Sequence, residues 1–460
     1  MATHATRRSF LRLALMGASG VAAGGLISAC APKVVTETVV VEKEVERVVE
    51  VIKEAEVAPK EAVTVRYHAR IGEQENSLYE MQSPSFMEEN PHITLELENF
   101  PGGEYLAKIS TMFAGGTLGD AIWGAIGGAT VYFLYSQGLV RPHDEFVAAE
   151  DYDILGEYYE GCIRAMQIEG NLLGLPFKAH PGLAVIYYNE NLFERAGIDV
   201  PTAEWTHDDQ VDMAQAIQGL AGEEPIFGYL PGTDWKSVLT LTRSYGGDLV
   251  SEDGTKFLLS SEEAKAAVRR LHDFFQTWEV SPTPEQIIGG GSQMWTMGLI
   301  GMFQAGTWAS VLKGTIGDRF KWMVAPNATG PAGVGGSDYE VDSFSVTTTS
   351  KHPWEAWEWV KYLCNRDSGV LLGVIGGTVN GRHDVYDSPV LLRHPYRPVF
   401  RDIMANAQDW RIQANWRLSE ASTALGQLLQ PVWAGQEQPT DTYIDSVTDQ
   451  IQDIFDMPRP

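Results

Sequence analysis

The chain has 460 residues, 44% of them apolar and 21% charged, with a formal net charge of −27. That length exceeds one ordinary hydrophobic core and predicts two lobes. The acid excess excludes nucleic acid as a partner, since that needs basic surface, and it excludes lying flat on an anionic membrane face.

The first residues read as an export signal. Thr6-Arg-Arg-Ser-Phe-Leu-Arg12 precedes an apolar run, Leu13 to Ile27, that is short of the ~20 residues a membrane-spanning helix needs. The paired arginines resemble a twin-arginine signal. Leu26-Ile-Ser-Ala-Cys30 resembles a bacterial lipobox, which implies cleavage behind Ala29 and lipidation of Cys30. An uncleaved anchor is the alternative. Residues 30–61 then read as a tether: Val34 to Val57 is almost all Val, Glu, Lys and Thr and cannot bury a core. A short coiled coil is the other reading of that stretch.

From Val63 the pattern is globular. Val63 to His68 alternates as a strand, and Gly72 to Asn76 is a loop. Ser77 to Glu89 reads as a helix broken at Ser83-Pro84 and ended by Asn90-Pro91. Ile93 to Glu98 is a second strand. Tyr105 to Ala114 is a helix with Leu106, Ile109 and Phe113 on one face, and Ala121 to Trp123 is a short buried strand. Strands alternating with helices predict an open α/β sheet. Ligands of such sheets sit beyond the carboxyl ends of the strands, so the loops Arg70 to Gln74 and Trp123 to Thr130 are cleft candidates. Gly124 to Thr130 lacks the Lys-Ser/Thr end of a phosphate-binding loop.

Leu183 to Asn189 is the next strand, followed by a short helix closed at Gly197, and Thr206 with Asp208 and Asp209 starts another helix. Ile226 to Leu230 is a strand and Trp235 to Tyr245 a helix. Ser260 and Glu263 form a capping box for a helix reaching Trp278. A strand ends at Gly306, Gly330 to Gly336 is a loop, Phe344 to Thr348 is a strand, and Trp354 to Asn365 is a helix with Trp357 and Leu363 facing inward.

Several of these stretches carry a resemblance: Phe86-Met-Glu-Glu-Asn-Pro-His-Ile, Tyr105 to Asp120, Glu169-Gly-Asn-Leu-Leu-Gly-Leu-Pro176, Tyr188-Asn-Glu-Asn-Leu-Phe-Glu-Arg-Ala-Gly197, Met297 to Trp308 and Phe320 to Pro326. Their order and spacing resemble the family 1 extracellular solute-binding proteins, the maltose-binding-protein-like receptors of ABC importers, from about Val63 to Cys364. Gly119 departs from the family's proline before Asp120. The resemblance implies a two-lobed periplasmic-binding-protein type II fold of the α/β class. It implies interlobe crossings near 176–184, 345–352 and 378–390, with lobes 62–178 plus 352–385 and 179–351 plus 386–460. It also implies capture of a carbohydrate in the cleft, delivery to the permease subunits of an importer, a monomeric receptor outside the cytoplasm on a lipid anchor, and neither a cofactor nor catalysis.

Sugar receptors of this family stack aromatic rings on sugar faces and bind hydroxyls with charged and amide groups. By that resemblance Trp308 is the stacking candidate, with Trp410 and Trp416 as candidates from the C-terminal region. Asp120 occupies a motif position. Lys178 and His180 flank the crossing, Arg70 and Glu73 follow the first strand, Trp123 opens the third-strand loop, and Trp235 opens a second-lobe helix. Two other classes stand beside this reading: a receptor for a non-sugar solute (glycerol phosphate, polyamine or metal) and a secreted glycan-cleaving enzyme. The chain has neither a Gly-x-Ser-x-Gly elbow nor a His-Glu-x-x-His pair. Cys162 and Cys364 are left either bridged or as two free thiols.

Overall fold

The computed structural model describes residues 60–125, 131–222, 225–407 and 414–459, and the segment from Ala62 on forms one compact unit. Cys30 and the tether lie outside the described residues. Among the described residues no helix is long and apolar enough to cross a membrane.

The chain opens with strand β1 (Val63–Arg70), helix α1 (Glu73–Glu89), β2 (Ile93–Phe100), helix α2 (Gly102–Ala114), β3 (Ala121–Ala125) and helix α3 (Val131–Ser136). A two-residue hairpin follows, β4 (Gln167–Ile168) and β5 (Asn171–Leu172), then β6 (Leu175–Gly182) and β7 (Val185–Asn189). The later strands are β8 (Phe227–Leu230), β9 (Ile300–Ala305), β10 (Trp322–Pro326) and β11 (Asp338–Val346). They build two sheets, β2-β1-β3-β11-β6 and β10-β7-β9-β8. The architecture is the expected α/β one, with two lobes. In the first sheet β1 runs parallel to β2 and β3, and β11 runs antiparallel to both β3 and β6. The carboxyl ends of β1, β3 and β6 therefore share one edge with the start of β11.

Alternation decides which face each strand buries. In β1, Val65, Tyr67 and Ala69 are buried. In β7 the alternation serves two cores at once: Tyr187 faces the larger core, which takes in residues of both sheets, while Ile186 and Tyr188 face the second. The last helix, Asp441–Phe455, closes that second core with Ile444, Val447 and Ile451. Trp357 and Leu363 are buried as expected.

Four expectations are corrected. β11 belongs to the first sheet, so residues 338–351 do not sit with the second lobe. Its pairing with β3 and β6 offers its backbone a ladder on both sides, which the shorter predicted strand from Phe344 did not reveal. The second crossing accordingly falls at 327–337 rather than 345–352. Helix α1 starts at Glu73 and continues through Pro84. A proline costs one helical bond, and buried Leu78 and Tyr79 before it and Phe86 after it hold both halves against the core. The helix Glu262–Gln276 is capped by Ser261, whose side chain accepts from the amide of Ala264, and not by Ser260.

The expected cap at Thr206 is present, with Asp209 returning the bond as a capping box. Cys162 and Cys364 are both free and buried. The first crossing passes through Leu183, whose φ of 35° is left-handed for a residue with a side chain. Its carbonyl accepts from Asn327 Nδ2 at 2.8 Å and Gln304 Nε2 at 3.3 Å, which ties the first crossing to the second.

Candidate functional site

Lys178 and His180 alternate on β6, and Asp342 and Glu340 alternate on β11, so both pairs project to one side. The register sets Lys178 opposite Asp342 and His180 opposite Glu340. Lys178 Nζ lies 2.6 Å from Glu75 Oε1, carried by α1, and 2.8 Å from Asp342 Oδ2. Arg70, the last residue of β1, reaches the same two carboxylates at 3.5 and 3.8 Å. Its guanidinium lies 4.8 Å over the ring of Trp123, a cation–π contact. Two bases and two acids thus close a balanced cluster at the carboxyl edge of the first sheet.

Beside it, His180 Nε2 is 3.2 Å from Glu340 Oε2 and its Nδ1 is 2.9 Å from the Pro181 carbonyl. Lys236, from the second-lobe helix Trp235–Ser244, closes on the other oxygen of Glu340. That ion pair joins the two lobes.

The titrations follow from this packing. Burial alone would raise the Glu75 carboxyl, but the adjacent Lys178 ammonium, its hydrogen bond and Arg70 outweigh it and hold the group below its ordinary value. Burial pulls the His180 imidazole down to about 4, and the charges of Lys236 and Lys178 add to that. His180 is therefore neutral at pH 7 and has one N–H to share between Glu340 and Pro181. Lys236, rather than His180, supplies the charge that holds Glu340.

Trp308 stands beside His180. It follows Gly306 in the 3-10 turn Thr307–Leu312 that leaves β9. A side chain on Gly306 would come within 2.7 Å of both His180 Cε1 and Trp308 Cδ1. Glycine is what lets the indole and the imidazole share that space. Trp308 keeps 39% of its surface exposed, whereas Trp295, Trp357, Trp359 and Trp433 are fully enclosed.

The other expected residues divide. Arg70, Trp123, Lys178 and His180 come together at the sheet edge. Trp235 begins the helix that carries Lys236 and packs partly against the second core. Glu73 is the first residue of α1, and the structure describes its backbone only. Trp410 lies outside the described residues, as do residues 126–130 of the third-strand loop. Asp120 is a correction. It sits at the amino end of β3, where its carboxylate accepts from the Arg66 amide at 2.9 Å and the Ser350 hydroxyl at 2.7 Å. Both oxygens are committed to holding the first lobe together. Trp416 has one face stacked against Tyr135, with Arg459 3.6 Å from its ring centroid.

Sequence reasoning missed Glu75, Glu340, Asp342 and Lys236. The Glu-x-Asp spacing of 340 and 342 was the available signal, because it places two acids on one strand face. A cavity of about 550 Å³ lies elsewhere, at the crossings, lined by Ala184, Val324 to Asn327 and Gly333 to Ser337. It touches none of the charged residues above. Among the described residues no group of three or more His, Cys, Asp or Glu could hold a metal ion. What the edge offers is donors, acceptors and a partly exposed indole beside them.

Comparison with known proteins gives a consistent outcome. Residues 71–368 match the family described as bacterial extracellular solute-binding protein. A binding protein of Brucella abortus is 28% identical over 295 residues, 63% of this chain and 69% of that protein. The diacetylchitobiose binding protein of Streptomyces coelicolor is 31% identical over 171 residues, 34% of this chain and 38% of that one. Among solved structures, an ABC substrate-binding protein from Listeria monocytogenes in complex with cycloalternan superposes with a TM-score of 0.74 at 18% identity, covering 85% of this chain and 99% of that one. A maltose-bound protein of T. maritima gives 0.70 at 21% identity, covering 85% and 100%. Likeness at these identities establishes the two-lobed fold.

Proposed function

Because this chain belongs to the family of bacterial extracellular solute-binding proteins, we propose that it is the sugar receptor of an ABC importer, holding a carbohydrate between its lobes and passing it to the permease. The observation that carries this reading is the half-open indole of Trp308 beside His180, on the strand whose Lys178 belongs to a charge cluster that is already balanced. A neutral polyhydroxylated ring needs an apolar face to stack on and paired donors and acceptors for its hydroxyls. A phosphate or a polyamine would bring net charge to a cluster that has none to offset it. The sugar-class ligands named for the Listeria and T. maritima structures agree with this choice.

The receptor binds without chemistry, since the site presents hydrogen-bonding groups and no nucleophile set against a base. Lobe closure about the crossings at 183–184 and 327–337 sequesters the solute. Cys30 carries the lipid anchor after twin-arginine export, and the receptor works outside the cytoplasm as a monomer.

A thermal-shift screen with maltose, maltotriose, chitobiose, ribitol, glycerol 3-phosphate, spermidine and ferric citrate tests the solute class, because tight binding to the folded state raises its melting point. A shift with an oligosaccharide is the expected outcome. A shift with glycerol 3-phosphate, spermidine or ferric citrate and with no sugar overturns it. For the anchor, Cys30→Ser is expected to move the protein from membrane to soluble fractions.

A further inference from the structure

Trp416 sits in a stack that joins the two lobes. Tyr135 belongs to the first lobe: α3 follows β3, and Leu134 and Val131 of that helix press on Gly124 within the strand. The rings of Tyr135 and Trp416 lie 6.4 Å apart at 25°, and Tyr132 meets Trp416 edge-on at 5.5 Å. On the same indole lies the guanidinium of Arg459, 3.6 Å from the ring centroid and 5.6 Å from that of Tyr135. Its Nη1 is also 3.5 Å from Glu169 Oε1, in the turn between β4 and β5.

Arg459 comes from the other lobe. It lies just beyond the helix Asp441–Phe455, whose Val447, Ile451 and Phe455 belong to the second core. The segment is fastened there by Arg417, which donates from Nε and Nη2 to the Pro458 carbonyl at 3.0 and 2.6 Å and pairs with Glu420 at 3.1 Å. One end of residues 456–459 is thus held by the second lobe, and the other ends in a cation seated on aromatic and acidic groups of the first.

We infer that Arg459 is a clasp between the lobes. With its guanidinium on the Tyr135–Trp416 stack and beside Glu169, the lobes are held together, and lobe opening requires the cation to leave. This regulates the same cleft and so rests on the hinged-receptor reading. The contact is partly exposed, 42% at Arg459 and 54% at Glu169, which places it among weak, reversible interactions. A clasp of that strength biases opening without forbidding it, as a receptor that must release its cargo requires.

The test uses the full-length protein with no solute present, by hydrogen exchange of Arg459→Ala, Arg459→Lys and the parent. An exposed cation–π contact corresponds to roughly two- to fivefold in an opening equilibrium. Arg459→Ala is expected to speed exchange by that factor in peptides covering 131–138 and 167–172, both in the first lobe. Arg459→Lys keeps the charge but loses the planar stack and is expected to fall between. Unchanged exchange in the two first-lobe segments, or a change confined to 453–459, overturns the clasp. Because no sugar enters the experiment, a failed sugar screen leaves this result standing, and a failed clasp leaves the sugar reading untouched.

Discussion

The two ends of the first sheet use acidic residues in opposite ways. At the amino end of β3, Asp120 spends its carboxylate on the Arg66 amide and the Ser350 hydroxyl. At the carboxyl edge, Glu75 and Asp342 pair with the cations Lys178 and Arg70. The first arrangement consumes backbone donors and leaves nothing to offer. The second balances charge between side chains that keep lone pairs and N–H groups to share, and it sits where open α/β sheets place their ligands. An acid at the start of a strand is a latch here, and acids at the end of the sheet form the candidate site.

The largest effect expected from breaking this contrast is at Lys178. Lys178→Met strips the shared ammonium from two mostly buried carboxylates, and removing one partner of a buried pair costs about 3–5 kcal/mol. Urea melts of the variant and parent measure it. A loss below about 1 kcal/mol would mean that Arg70 alone neutralises the pair. On the other side of the contrast, Asp120→Ala leaves the Arg66 amide and Ser350 hydroxyl without their charged acceptor, worth about 2 kcal/mol. It should lower stability while leaving solute affinity in the folded fraction unchanged. A fall in affinity at equal folding would return Asp120 to the binding set.

Acid sharpens the same comparison. The folded pKa of His180 lies near 4 against an ordinary 6.5, so the folded state disfavours its proton. Its contribution is complete above 6.5 and is lost as pH falls toward 4. Glu75 is also held below its ordinary 4.5, so its contribution is lost at still lower pH. Stability should therefore decline from pH 6.5 downward. His180→Asn should flatten the decline between 6.5 and 4 by at most about 1.4 kcal/mol per pH unit, with His143 and His207, both pulled to about 3, sustaining the rest. An unchanged slope in urea midpoints would show that His180 is protonated in the folded state.

Local signals were readable in the chain and long-range ones were not. The alternation of β1 and β2, the cap at Thr206 and the inward Trp357 follow from neighbours a few residues apart. Lys178 and Glu75 are separated by 103 positions, and no spacing rule links them. Lys178 and His180 were legible as candidates because they flank the crossing that the family resemblance implies, but their carboxylate partners depend on β11 entering the first sheet. The bound state of Trp416 was invisible for the same reason, since Arg459 approaches it only once the last helix is packed. Trp308 stood out because Gly306-Thr-Trp308 resembles a motif of the solute-binding family, and the glycine is the residue that gives the indole room.

Trp308 gives the smallest expected effect and the one that bears most directly on the solute. The residue is 39% exposed, so Trp308→Ala opens no sealed cavity, and the stability change should stay within roughly 0.5 kcal/mol. Affinity should fall about tenfold, ~1.4 kcal/mol, if the ring supplies the apolar face for the solute. Trp308→Phe keeps a smaller face in the same place and should retain part of that affinity. Titration calorimetry with the best sugar from the screen and urea melts of all three proteins separate the terms. A stability loss of about 3 kcal/mol or more with unchanged affinity would identify Trp308 as a packing residue. The charged edge alone would then have to account for binding. Lys178 and Arg70 are already engaged with Glu75 and Asp342, so that edge would need a charged solute rather than a sugar to repay breaking its own pairs.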